Sequence, residues 1–78
     1  MSIKKHIRLT GCSNISWKDA IVKAIADVSK TIHNLEKVTV LEQTANIQDN
    51  TISEYFVLLE IEFSIDENIR NEKTDTTI

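Results

Sequence analysis

Apolar and polar positions alternate at the start of the chain. Ile3, Ile7 and Leu9 fall on one side, with Lys5 the exception, and Lys4, His6, Arg8 and Thr10 on the other. A period of two predicts a half-buried strand. It ends at Gly11, the only glycine, a residue able to adopt backbone conformations that others resist. Ser16 then opens a helix. Its hydroxyl is placed to accept the N–H of the third helical residue, with Asp19 three positions on, as in a capping box. Behind it Trp17, Ile21, Ala24, Ile25, Val28 and Ile32 recur at intervals of three and four, a stripe wide enough to face a sheet. Lys18, Asp19, Lys23, Asp27 and Lys30 take the other side. No Gly or Pro interrupts Ser16 to Asn34, which predicts one unbroken helix fading around His33-Asn34.

The period then returns to two. Lys37 to Gln43 is rich in β-branched residues and reads as a second strand continuing through Ile47. Gln48-Asp49-Asn50-Thr51 is the turn, because Asp and Asn tolerate left-handed geometry. In the third strand Tyr55, Val57, Leu59, Ile61, Phe63 and Ile65 fill one face. Glu54, Phe56, Leu58, Glu60 and Glu62 fill the other. Its length and apolar content make it the central strand. The order strand, helix, strand, strand predicts an α+β fold in which the helix covers the Val57 face of an antiparallel sheet. Phe56 and Leu58 are left on the far face, joined by Val38 and Val40 or by Thr39 and Leu41. An uncovered apolar patch marks an interface or a ligand site. Residues 1–65 form one domain. Residues 66–78 are almost all polar, bury too little to order themselves, and read as a flexible tail.

Composition sharpens this picture. With 78 residues there is room for one domain, and a domain this small buries only about 60% of its unfolded surface. Small scaffolds are supplemented by disulfides, metals or oligomerisation. Cys12 is the only cysteine, so self-association is the expected supplement and a reducing cytoplasm the expected compartment. The start of the chain lacks the apolar core of a secretory signal, and no apolar run reaches the ~20 residues of a membrane span. A net charge of −3 without a basic stripe argues against a nucleic-acid partner.

Chemistry is sparse. Cys12 precedes the helix, but nothing in the sequence brings His6 or His33 to it as a base. Glu60 and Glu62 lie two apart on a strand and share a face, with Glu54 further along. They are candidate ligands for a hard cation, or simply a charged solvent face. The stretch from Gly11 to Ser16 offers free N–H groups to an anion, a weak signal. Trp17 joins the apolar stripe and reads as a packing residue. The residues alone predict a small oligomeric domain with an apolar sheet face and no catalytic constellation.

Taken together, several segments resemble the dodecin family over about Ile3 to Ile65. They are Thr10-Gly11, Ser16-Trp17-Lys18-Asp19-Ala20, Asn34-Leu35, Val38 to Gln43, and Tyr55 to Phe63. The resemblance implies a β-α-β-β subunit whose three-stranded antiparallel sheet wraps around its helix, assembled as a hollow homo-dodecamer. It implies non-catalytic binding of stacked flavins (riboflavin or FMN) at twofold axes, with storage or buffering as the role. Glu42 and Gln43 match the family pattern, the acidic residue being the one that contacts the ligand's polyol chain. The stacking Trp of flavin-binding members falls at Lys37, the Gln at the flavin edge at Phe56, and an Arg common in bacterial members at Thr44. The alternative is a flavin-free shell holding a cation at Glu60 and Glu62, or another anionic ligand at Lys37.

Overall fold

The computed structural model describes residues 2–66. Its elements are β1 (Ser2–Ser13), α1 (Trp17–Val28), β2 (Leu35–Gln48) and β3 (Thr51–Asp66). The strands form one sheet in the order β1-β3-β2, with both neighbours antiparallel. The β-α-β-β order and the central place of the third strand are as expected. The polar tail lies outside the described residues except for Asp66, whose backbone pairs with Ser2. No helix among the described residues is long and apolar enough to cross a membrane.

Directly paired residues share a face of the sheet. On the helix side the rows are Ile7–Ile61–Val38, Leu9–Leu59–Val40, Gly11–Val57–Gln43 and Ser13–Tyr55–Ala45. Val57 and Leu59 are fully buried, as is Ala20 of α1, and Leu9, Trp17, Ile21, Ala24 and Val38 pack around them. Each large apolar side chain buried here contributes about 1.5–3 kcal/mol. The helix lies on β1 and β3, so the core is concentrated over the central strand. Ala20, outside the expected stripe, is the helix residue pressed deepest into the sheet.

Gly11 corrects the expectation placed on it. β1 does not stop there but runs on to Ser13. Positive φ belongs to Asn34, Asp49 and Asn50, and not to the glycine. What Gly11 supplies is closeness. A Cβ at this position would sit 2.9 Å from the Ala20 carbonyl oxygen and 3.1 Å from Ala24 Cβ. The helix approaches β1 where a side chain is missing.

The helix starts as expected and ends early. The Asp19 N–H donates to Ser16 Oγ at 2.9 Å. Ser13 Oγ donates to Asp19 Oδ2 at 2.6 Å while accepting the Ile15 N–H at 2.9 Å. At the other end Ser29 Oγ donates to the Ala26 carbonyl, and the Lys30 and Thr31 N–H groups bond three residues back. Hydroxyls that back-bond and a tightened last turn terminate the α-helix near Val28, five residues before the expected fade. Asn34, at φ 63°, swings the chain into β2, and its carbonyl accepts the Ser64 N–H at 3.2 Å. In the hairpin Asp49 and Asn50 both have positive φ, the requirement of a two-residue type I′ turn.

Gly11→Ala is expected to lower the unfolding free energy by about 1–3 kcal/mol, the usual cost of overpacking, read from urea unfolding at matched protein concentration. The Ser13 hydroxyl, and after it the Lys23 ammonium at 3.2 Å, hold the Asp19 carboxyl below its ordinary value. A carboxylate lowered in the folded state stabilises at pH above its unfolded value of ~3.9, and that contribution is lost as pH falls through the folded value. Asp19→Asn should therefore destabilise near neutral pH, with the gap to wild type narrowing between about pH 5 and pH 2. A gap that stayed constant in thermal melts would contradict this assignment.

Candidate functional site

Among the described residues no element covers the far face of the sheet. Its rows, from one end to the other, are His6–Glu62–Lys37, Arg8–Glu60–Thr39, Thr10–Leu58–Glu42 and Cys12–Phe56–Thr44. It has two halves of different chemistry. One is ionic. His6 Nε2 lies 3.2 Å from Glu62 Oε1, Arg8 Nε 3.5 Å from Glu60 Oε2, and Lys4 Nζ 3.8 Å from Glu62 Oε2. Lys4 also pairs with Glu36. That contact raises the Lys4 ammonium and, with the Ser64 hydroxyl second, lowers the Glu36 carboxyl. The other half is apolar, with half-buried Phe56 and Leu58 flanked by Thr10, Cys12 and Thr44.

Two irregularities set which residues reach this face. The β2–β3 register slips between Leu35 and Lys37 and again between Val40 and Glu42. Glu36 and Leu41 are the extra residues. An inserted residue resets the alternation, so Thr39 and Glu42, three apart, both face away from the helix. Val38 points toward the helix, which resolves the earlier alternative for β2, and Leu41 sits at the bulge, 37% exposed.

Lys37, Glu42 and Phe56 thus share the far face. Gln43 does not, since it pairs with Val57 on the helix side. The rows of Lys37 and Phe56 are separated by six residues of β3, about 20 Å at ~3.3 Å per residue. The same spacing separates His6 from Cys12 along β1, so that pair is not a thiol–imidazole dyad within one chain. Glu60 and Glu62 both face cations, and among the described residues no group of three His, Cys, Asp or Glu is arranged to hold a metal.

The sequence reading missed the neighbours Thr10, Cys12 and Thr44 as part of the Phe56 patch. The signal was available for two of them. Once β1 is carried past Gly11, Cys12 has the parity of Thr10. Trp17 is a packing residue, as expected. Its Nε1–H donates to the Thr44 carbonyl at 2.9 Å, and its ring meets Tyr55 edge-on, 4.8 Å between centroids. A cleft of about 420 Å³ opens between α1 and the free edge of β1 and is lined by none of Lys37, Glu42, Gln43 or Phe56.

A family sequence profile described as Dodecin matches residues 3–66. The chain belongs to the dodecin family. The fold agrees. A Thermus thermophilus dodecin, solved as an arginine-to-alanine variant, is 30% identical with a TM-score of 0.80, over 85% of this chain and 98% of that one. The dodecin from Streptomyces davaonensis is 26% identical with a TM-score of 0.78, over 83% and 96%. A Mycobacterium tuberculosis antigen, described as a calcium-chelating calcium dodecin with a novel calcium-binding site, is 25% identical with a TM-score of 0.71, over 82% and 91%. A search of curated proteins returned no match.

Phe56→Asp and Leu58→Asp place a charge on the apolar half of the far face. If that half is covered by other subunits, each variant should shift the protein to smaller species in light scattering. A variant that kept the full wild-type mass would leave this half without a subunit contact.

Proposed function

We propose that this dodecin is a non-catalytic small-ligand-binding protein working as a closed homo-oligomer, a dodecamer, in the cytoplasm. The ligand class is flavin, FMN in preference to riboflavin, and the role is storage or buffering. One observation carries the reading. Lys37 and Phe56, to which the resemblance assigns the places of the flavin-stacking Trp and edge Gln, share the far face about 20 Å apart. That is farther than a three-ring aromatic ligand spans, so a site using both is completed by a second copy. The exposed apolar surface and the small core supply the reason to assemble.

Within this reading Glu42 contacts the ligand's polyol chain, and Gln43 supports the opposite side of the same strand. Lys37 offers no stacking platform. Its ammonium instead attracts a phosphate, which favours FMN. Loss of stacking costs about 1–3 kcal/mol per ring in the comparable case of nucleic-acid bases. Cation binding at Glu60 and Glu62 is the second reading. It draws on the relative described as a calcium dodecin. A divalent ion there would have to displace Arg8, His6 and Lys4 from the two carboxylates.

Native mass spectrometry with excess FMN or riboflavin tests the proposal. The expected result is a twelve-subunit mass carrying FMN, with less riboflavin retained. Restoring the family residues with Lys37→Trp and Phe56→Gln should tighten riboflavin binding at least about tenfold, since 1.4 kcal/mol is a factor of ten. Twelve subunits without flavin, in wild type and in the double variant, would overturn the flavin assignment. A monomeric mass would overturn the assembly as well.

A further inference from the structure

The ionic half of the far face is lopsided. Its carboxylates, Glu36, Glu60 and Glu62, belong to β2 and β3, and each is paired from β1. Arg8 Nε lies 3.5 Å from Glu60 Oε2. His6 Nε2 lies 3.2 Å from Glu62 Oε1, and Lys4 Nζ 3.8 Å from Glu62 Oε2. Lys4 also pairs with Glu36, across the width of the sheet. Ser64, opposite Lys4 in the register, adds its hydroxyl to Glu36.

Lys37 is the cation left over. It stands directly opposite Glu62 and follows Glu36 in the chain. Opposite charges in facing positions of an antiparallel pair attract, so both carboxylates are natural partners for it. Yet among the described residues Lys37 forms no ion pair. Glu62 turns both oxygens to β1, and Glu36 is drawn the same way. One ammonium, that of Lys4, reaches both carboxylates beside Lys37.

We infer that Lys4 is a positioning residue for an anionic ligand: by holding Glu36 and Glu62 toward β1, it keeps the Lys37 ammonium available to a phosphate. Without Lys4 the carboxylates are free to turn to Lys37, and a phosphate then competes with a partner already in place. Lys4 acts through these carboxylates and not on the ligand. His6 assists at one Glu62 oxygen, where a ring N–H suffices.

The inference rests on the flavin reading, with FMN favoured through its phosphate, and the test separates the two. FMN and riboflavin share ring system and polyol chain and differ in the phosphate. The readout is the ratio of their dissociation constants, from quenching of flavin fluorescence, which a general loss of packing moves equally for both. Lys4→Met should lower the preference for FMN about fivefold, the scale of one exposed ion pair, while Lys4→Arg keeps it and Lys37→Met removes it. In a Glu36→Gln, Glu62→Gln background, Lys4→Met should leave the preference unchanged. A preference that survives Lys4→Met or Lys37→Met, or that falls as far with both carboxylates replaced, overturns the positioning role and spares the flavin reading. A wild type that binds no flavin, or binds the two equally, overturns both.

Discussion

One helix must serve a three-stranded sheet, and the rest of the molecule follows from where that helix sits. It settles where Gly11 removes a side chain and Ala20 can press its backbone against β1. From that line the helix reaches Val57 and Leu59 on the central strand and little of β2. A helix is about 10–12 Å across, and three strands spaced ~4.8 Å apart present two faces. Among the described residues one face is covered over two strands and the other not at all. The chain therefore folds with a surplus of apolar surface on the far face, along β2, and at the hairpin tip.

Much of this architecture is legible in the residue pattern. Period two and period 3.6 separate the strands from the helix, and Ser16 with Asp19 marks where the helix begins. Asp49-Asn50 marks the hairpin, because few other pairs accept left-handed geometry at both positions. The unbroken Tyr55–Ile65 alternation identifies the central strand before any pairing is known. The early end of the helix was harder to see. Ser29 and Thr31 break it by satisfying carbonyls locally, while Ile32 keeps the apolar spacing alive one turn further.

Less of the candidate site is legible, and the reason is register. Glu42 and Gln43 are neighbours in sequence and belong to opposite faces of the sheet. Thr39 and Glu42 belong to the same face only because Leu41 is an extra residue. No composition rule announces a bulge, so the faces of β2 can be assigned only once its pairing with β3 is known. Glu60 and Glu62 illustrate the same limit. Alone they resemble a cation site, and the opposing residues that pair with them, Lys4, His6 and Arg8, lie more than fifty positions away in sequence.

The bulge at Leu41 also sets what kind of change this chain can absorb. Because side chains alternate with a period of two, removing Leu41 would only take out the bulge, leaving Val40 opposite Leu59 and Glu42 opposite Leu58, whereas removing a regularly paired residue such as Gln43 would turn every position from there to the hairpin tip inside out. Thr44 would then move under the helix, and Ala45 would move out. Replacing a residue has no such reach. Substitutions on the far face are local, whereas the number of residues from Glu42 to Asn46, where pairing with β3 is regular, is fixed by the whole sheet.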